Sequence, residues 1–341
     1  MSSGVGTGDG PLAPPGGDGD AAPTGSAPSP RGRWRGGGVA GLGALGLGVL
    51  LLVCVLFAVD GQAGQPDDGL SVGAAVLLGL VEGLTEWLPV SSTGHLTMVQ
   101  IMLGIEGDAA TSYAIAIQAG AILAVLGLYR HRFRAMVNGL LGRDPHGRQV
   151  VVAIVAACLP AIIVGLTFED LIKDRLFGAW PIVIAWFAGG LAILTVGRRI
   201  RHGVGGAPLT ALTWRGALVI GAAQILALWP GVSRSLVTIL SATLVGLALP
   251  AAVEFSFLLG FVILGGATVY ETVSSGDQMV EAYGLAVPLL GAAVALVSAA
   301  GAMRWMVGYL NRRGLAIFGW YRIAIAGVAA VLLVTGVISS T

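Results

Sequence analysis

The stretch EGLTEWLPVSSTGH, residues 82–95, decides how this chain folds. Apolar sequence flanks it on both sides, yet it holds two carboxylates, a histidine and three consecutive hydroxyls. A second stretch, QILALWPGVSRS, residues 224–235, follows the same plan. Each has a Trp and a Pro, then a short turn of small and hydroxyl residues; the second carries Arg234 between Ser233 and Ser235. Ionisable groups at membrane depth are costly and usually mark a site. A carboxylate pair, an arginine and several hydroxyls suit a phosphate and a metal ion better than a sugar or a lipid tail.

The rest of the chain supplies the membrane. Of its 341 residues, 55% are hydrophobic and only 11% charged, where a soluble domain has ~25% charged. This is the composition of an all-α polytopic membrane protein. A net charge of +1 gives no reason to expect nucleic acid. Cys54 and Cys158 both lie in apolar runs and make no disulfide framework. Residues 1–37 are Gly, Pro, Ser, Ala and Asp with few large apolar side chains, a disordered cytoplasmic tail. Arg31, Arg33 and Arg35 then precede an apolar run, and an extra N-terminal transmembrane helix is expected over 38–60. It reads as an uncleaved anchor, with a cleaved signal peptide as the alternative.

Arginine placement orients the remaining runs. Arg130, Arg132, Arg134, Arg143 and Arg148 mark loop 130–148 as cytoplasmic; so do Arg198, Arg199, Arg201 and Arg215 for 198–215, and Arg304, Arg312 and Arg313 for 304–313. Segments 60–68, 104–110, 168–179 and 271–281 are expected outside. Six core spans fit this pattern, at 113–129, 150–167, 180–197, 251–270, 283–303 and 315–337. Residues 70–104 must then start and end outside, and residues 214–249 must start and end inside. Each is predicted to be a re-entrant helical hairpin, entering from opposite faces and meeting near the midplane. That is an inverted repeat, with halves of about 70–200 and 210–338 in one domain over 70–338. IQAGAILAVLGLY (117–129) and FSFLLGFVILGGATVY (255–270) echo each other after the two clusters.

Glu82 and Glu86 are four residues apart and share a helix face. In a low-dielectric site one would hold a proton unless a cation sits between them. A hard divalent ion with oxygen ligands resolves the repulsion. Ser91, Ser92 and Thr93 form an anion cradle or a nucleophile site, or cap a helix whose N-terminus is itself an anion site. His95 lies in apolar sequence and is a catalytic candidate, whereas His131, His146 and His202 lie in basic loops and are expected to be solvated. Arg234 needs an anion from elsewhere in the chain or from a ligand. A phosphate held bidentately fits; an ion pair with Glu82, Glu86 or Glu254 is the alternative. Ser233, Ser235 and Thr238 add hydroxyls, and Glu254 is a candidate buttress for Arg234.

On these motifs the chain resembles the undecaprenyl-diphosphate phosphatase family of the bacitracin-resistance type. EGLTEWLPVSSTGHL (82–96) matches that family's first motif and PGVSRS (230–235) its second. IQAGAILAV (117–125), EFSFLL (254–259) and WYRI (320–323) also look like family sequence. Leu236 and Val237 depart from the Gly-Ala that often follows the second motif. The resemblance implies hydrolysis of a polyprenyl diphosphate to the lipid monophosphate and inorganic phosphate in a bacterial cytoplasmic membrane, which recycles the carrier lipid for wall synthesis. It implies Mg2+ or Ca2+ at Glu82 and Glu86, with Glu82, Glu86, Ser92, His95 and Arg234 catalytic. Ser91, Thr93, Ser233, Ser235 and Thr238 would bind substrate. Ser92, His95 and water all remain open as the nucleophile, the site is expected to open to the outer face, and a homodimer is open. A transporter or flippase of polyprenyl phosphate is the rival reading. The type-2 phosphatidic acid phosphatases are excluded by the lack of a second His between Ser235 and Pro250.

Overall fold

The computed structural model describes residues 70–105, 107–197 and 205–338. The expected cytoplasmic tail over 1–37 and the extra helix over 38–60 lie outside the described residues, as does His202.

The described chain is helical. In order the helices are α1 (Val72–Thr85), α2 (Ser92–Leu103), α3 (Asp108–Leu128), α4 (Arg130–Leu140), α5 (Pro145–Thr167), α6 (Glu169–Leu176), α7 (Ala179–Val196), α8 (Trp214–Gln224), α9 (Arg234–Leu244), α10 (Leu249–Tyr283), α11 (Ala286–Arg313) and α12 (Ala316–Val334). Six of these are long and apolar enough to cross a bilayer: α3, α5, α7, α10, α11 and α12. Their outer surfaces carry exposed apolar side chains such as Leu123, Val155, Ile163, Phe187 and Val331, the pattern of a lipid-facing surface.

α1, α2, α8 and α9 have 14, 12, 11 and 11 residues. A helix of that length reaches ~16–21 Å, short of a ~30 Å hydrocarbon core. They come in two pairs, α1 with α2 and α8 with α9, and each pair packs on itself. The second pair leaves and returns to one place, because Ala207 and Leu247 form a β-bridge that ties its two ends. α1 packs on α11, and α8 packs on α5. α3 packs on α10 and on α11, and α7 on α12.

Two expected loops are helical instead. Segment 271–281 continues α10, whose 35 residues run to Gly284 at φ 65°. Segment 304–313 continues α11 to Gly314 at φ 69°. Charged residues mark where a helix enters water. They do not end it; a glycine free to take a left-handed conformation does. Segments 130–148 and 168–179 likewise contain α4 and α6.

Candidate active site

The site is built from the ends of short helices. Glu82 lies in the last turn of α1, and Glu86 sits at its C-terminal cap. The chain then turns through Trp87–Val90 and restarts as α2 at Ser92, capped by Ser91. The second pair repeats this at Pro230–Val232, with Ser233 as cap and Arg234 as the first residue of α9. Ser91 (φ 74°) and Ser233 (φ 77°) are the two non-glycine residues with left-handed φ among the described residues. Such a conformation costs of order 1–3 kcal/mol and persists where the surroundings over-determine it. Here each serine hydroxyl accepts from the backbone N–H three residues on, Gly94 and Leu236, at 3.3 Å in both. Matched caps thus start the two helices in the same way.

Their first residues converge on Glu86. Ser92 Oγ donates to Glu86 Oε2, and Arg234 Nη2 donates to Glu86 Oε1 at 3.2 Å. Arg234 Nη1 donates to the Ser256 carbonyl at 2.9 Å, and its guanidinium lies 5.1 Å above the Trp87 ring. Arg234 Nε has no hydrogen-bond partner among the described residues. Trp87 is held in turn by Nε1 donating to the Ala121 carbonyl at 3.0 Å. Glu82 is 1% exposed, within electrostatic reach of Glu86 and Arg234. Among the described residues neither of its carboxylate oxygens has a hydrogen-bond partner.

The other hydroxyls have different surroundings. Ser235 Oγ donates to the Leu88 carbonyl at 2.8 Å, so it ties the second turn to the first; Ser233 Oγ lies 3.0 Å from it. Thr238 Oγ1 donates to the Arg234 carbonyl at 2.8 Å and lies 2.6 Å from Ser256 Oγ. Thr93 is exposed. His95 is buried, with Nδ1 2.6 Å from the Ser91 carbonyl and Nε2 2.7 Å from Tyr321 Oη. Its ring stacks on Tyr321 at 5.7 Å and packs against Trp186 at 4.9 Å. A carbonyl can only accept, so Nδ1 is the protonated nitrogen and Nε2 accepts from the tyrosine hydroxyl.

One expectation is corrected. Glu254 does not buttress Arg234; it pairs with Arg132, through Nε and through Nη2 at 3.2 Å. Arg132 lies in α4, beside α3 and α5 rather than in a solvated loop. His131 and His146 are exposed as expected. Two residues not singled out from the motifs, Tyr321 and Arg322, also reach the site. Arg322 is fully buried in an apolar helix, and the rule that marked Arg234 applies equally to it.

A divalent ion can be judged against these donors. Among the described residues, no group of three or more His, Cys, Asp and Glu could hold a metal. Both Glu86 oxygens are engaged, by Ser92 and Arg234, so the open donors are the two buried Glu82 oxygens, unpartnered among the described residues. Hard oxygen donors of this kind suit Mg2+ or Ca2+ where substrate phosphate and water complete the coordination. Glu82 therefore fits such an ion, with Glu86 beside it as the second carboxylate.

The family described as Bacitracin resistance protein BacA matches over residues 75–328. This chain belongs to the BacA family. Its match contains both polar turns and all twelve helices apart from the edges of α1 and α12. An undecaprenyl-diphosphatase of Sorangium cellulosum is 45% identical over 257 residues, covering 74% of this chain and 84% of that protein. Undecaprenyl-diphosphatase 1 of Burkholderia lata is 43% identical, covering 75% and 94%. Undecaprenyl-diphosphatase 2 of Rhodospirillum rubrum is 40% identical, covering 78% and 96%.

Proposed function

We propose that this protein hydrolyses undecaprenyl diphosphate to undecaprenyl phosphate and inorganic phosphate. The observation that carries the reading is the meeting of Ser92 and Arg234, from two different turns, on the buried carboxylate of Glu86. Hydroxyl, base and guanidinium together are the parts a phosphoryl transfer needs. Family membership and the names of the relatives agree with it. Nothing in the site favours the transporter reading.

The hydrogen bonds support the following roles. Ser92 is the nucleophile and Glu86 takes its proton as the Ser92 oxygen bonds to the terminal phosphorus. The bond from that phosphorus to the bridging oxygen breaks, and lipid monophosphate leaves. Water then hydrolyses the phosphoserine and frees inorganic phosphate. Arg234 balances the charge that spreads over the phosphoryl oxygens. The two nitrogens of His95 face the Ser91 carbonyl and the Tyr321 hydroxyl, which favours Ser92 over His95 as the nucleophile. Glu82 and Glu86 would hold Mg2+ or Ca2+, which would supply charge neutralisation to the diphosphate. Ser91 and Ser233 orient the two helix N-termini toward the anion, and Thr93 is the hydroxyl left open to substrate.

The two short helix pairs act as re-entrant hairpins of an inverted repeat, with halves of about 70–200 and 210–338. Their length, the tie between Ala207 and Leu247, and the reciprocal packing of α1 on α11 and α8 on α5 support this. The arginine distribution supports a cavity open to the outer face of the bacterial cytoplasmic membrane. Phosphate release from undecaprenyl diphosphate by purified protein in detergent tests the reading, with and without EDTA. Metal-dependent release that is lost in Glu86→Gln and Arg234→Ala is the expected result. No release by folded wild type with Mg2+ present would sink the enzyme reading.

A further inference from the structure

Arg322 is the one Lys, Arg, Asp or Glu residue of α12, and it is fully buried. Among the described residues its hydrogen bonds all go to backbone carbonyls. Nη2 donates to Ala185 at 2.8 Å and to Gly231 at 2.7 Å; Nη1 donates to Pro89 at 3.4 Å, and Nε to Trp186 at 3.3 Å. Pro89 and Gly231 belong to the two polar turns, and Ala185 and Trp186 are successive residues of α7. One guanidinium thus joins both turns to the α7–α12 pair.

Burying a guanidinium is costly, and apolar packing alone would join two helices more cheaply. The planar fork of Arg, with five donors, does something apolar packing cannot: it fixes several carbonyls at set angles. The carbonyls it takes on the turns lie three residues before Ser92 and three before Arg234. Gly189, one turn along α7 from Ala185, leaves the room; a Cβ there would overlap the guanidinium. The neighbouring Tyr321 holds His95 from the same turn of α12.

We propose that Arg322 is a positioning residue for the reaction: by holding the carbonyls of Pro89 and Gly231 together, it sets the placement of Ser92 and Arg234 around Glu86. The kinetic side of this inference rests on the phosphatase reading; the structural side does not.

Arg322→Lys and Gly189→Ala are compared with wild type in detergent, by hydrogen–deuterium exchange and by phosphate release with Mg2+. Lys keeps the charge without the fork, and Gly189→Ala displaces the guanidinium while leaving it in the chain. Faster exchange is expected at both turns, at the amides of Val90 and Val232, with α5 unchanged. A misplacement on the scale of an ångström lowers kcat ~10²-fold, with little change in KM for the lipid. Guanidinium ion added to Arg322→Ala restores part of kcat. Wild-type exchange at either turn overturns the proposal, even where activity falls. So does faster exchange that extends through α5, or variants that all fail to fold, since Arg322 is then a general folding element. Wild type that releases no phosphate defeats the phosphatase reading instead, and the exchange arm still decides the role of Arg322.

Discussion

Replacing Arg234 by alanine separates what the guanidinium does for the fold from what it does for the reaction. In the fold it meets Glu86 at 3.2 Å, with side chains only 11% and 5% exposed, so water cannot replace the lost partner. Removing one member of a buried pair costs ~3–5 kcal/mol, mostly because a charge is left behind. That part of the cost disappears when the other member is neutral too. Arg234→Ala in a Glu86→Gln background is therefore expected to destabilise less than in wild type, by a coupling of ~1–3 kcal/mol. The reaction behaves otherwise. Loss of one preorganised donor to a developing charge lowers kcat ~10²–10³-fold, and neutralising Glu86 restores none of it. The assay is a double-mutant cycle on unfolding in detergent, with phosphate release measured on the same four proteins. Stability losses that add to within ~0.5 kcal/mol would mean the two side chains do not meet as described. Wild-type kcat in Arg234→Ala would remove the guanidinium from the chemistry.

Three further outcomes are expected. A Cβ at Gly260 in α10 would overlap the Arg234 guanidinium, so Gly260→Ala lowers phosphate release ~10²-fold while circular dichroism shows the helices intact. Tyr321→Phe keeps the ring stacked on His95 but loses the 2.7 Å hydrogen bond. A loss of ~1 kcal/mol, or about fivefold in kcat, is expected from steady-state kinetics, and Tyr321→Ala loses more. Glu82→Gln removes a buried carboxylate whose oxygens have no partner. It abolishes stimulation by Mg2+ in a titration, yet leaves the EDTA-treated protein at least as heat-stable as EDTA-treated wild type.

The central site was legible because polar residues in apolar runs are rare enough to be conspicuous. Glu82, Glu86, Ser92 and Arg234 stand out on that ground alone; Ser92 and Arg234 meet on Glu86, while Glu82 lies within electrostatic reach of Glu86 and Arg234. Arg322 satisfies the same rule, but its partners are carbonyls, which have no side-chain signature. The partner of Glu254 was illegible for a related reason. Arg132 lies among several arginines, and nothing in the local sequence says which one turns inward. The helix ends at Gly284 and Gly314 are hard to place from charge, because charged residues mark where a helix enters water and the glycines end it.

The two turns share one backbone device but carry different side chains. Aligned on Ser91 and Ser233, Trp87 falls on Trp229 and Val90 on Val232. The backbone device is kept whole: a left-handed serine caps each helix and sends the next residue toward Glu86. The charges are not kept. Glu82 falls on Gln224, also buried with an unpartnered oxygen, and Glu86 falls on Leu228. A second full set would bring further carboxylates into a dry site holding one guanidinium from the motifs, and unbalanced buried charge is what such a site cannot sustain. With Ser92 on one cap and Arg234 on the other, one carboxylate meets a hydroxyl and a cation at once. Matched caps bring the two helix starts together, and the difference in their side chains decides what meets on Glu86.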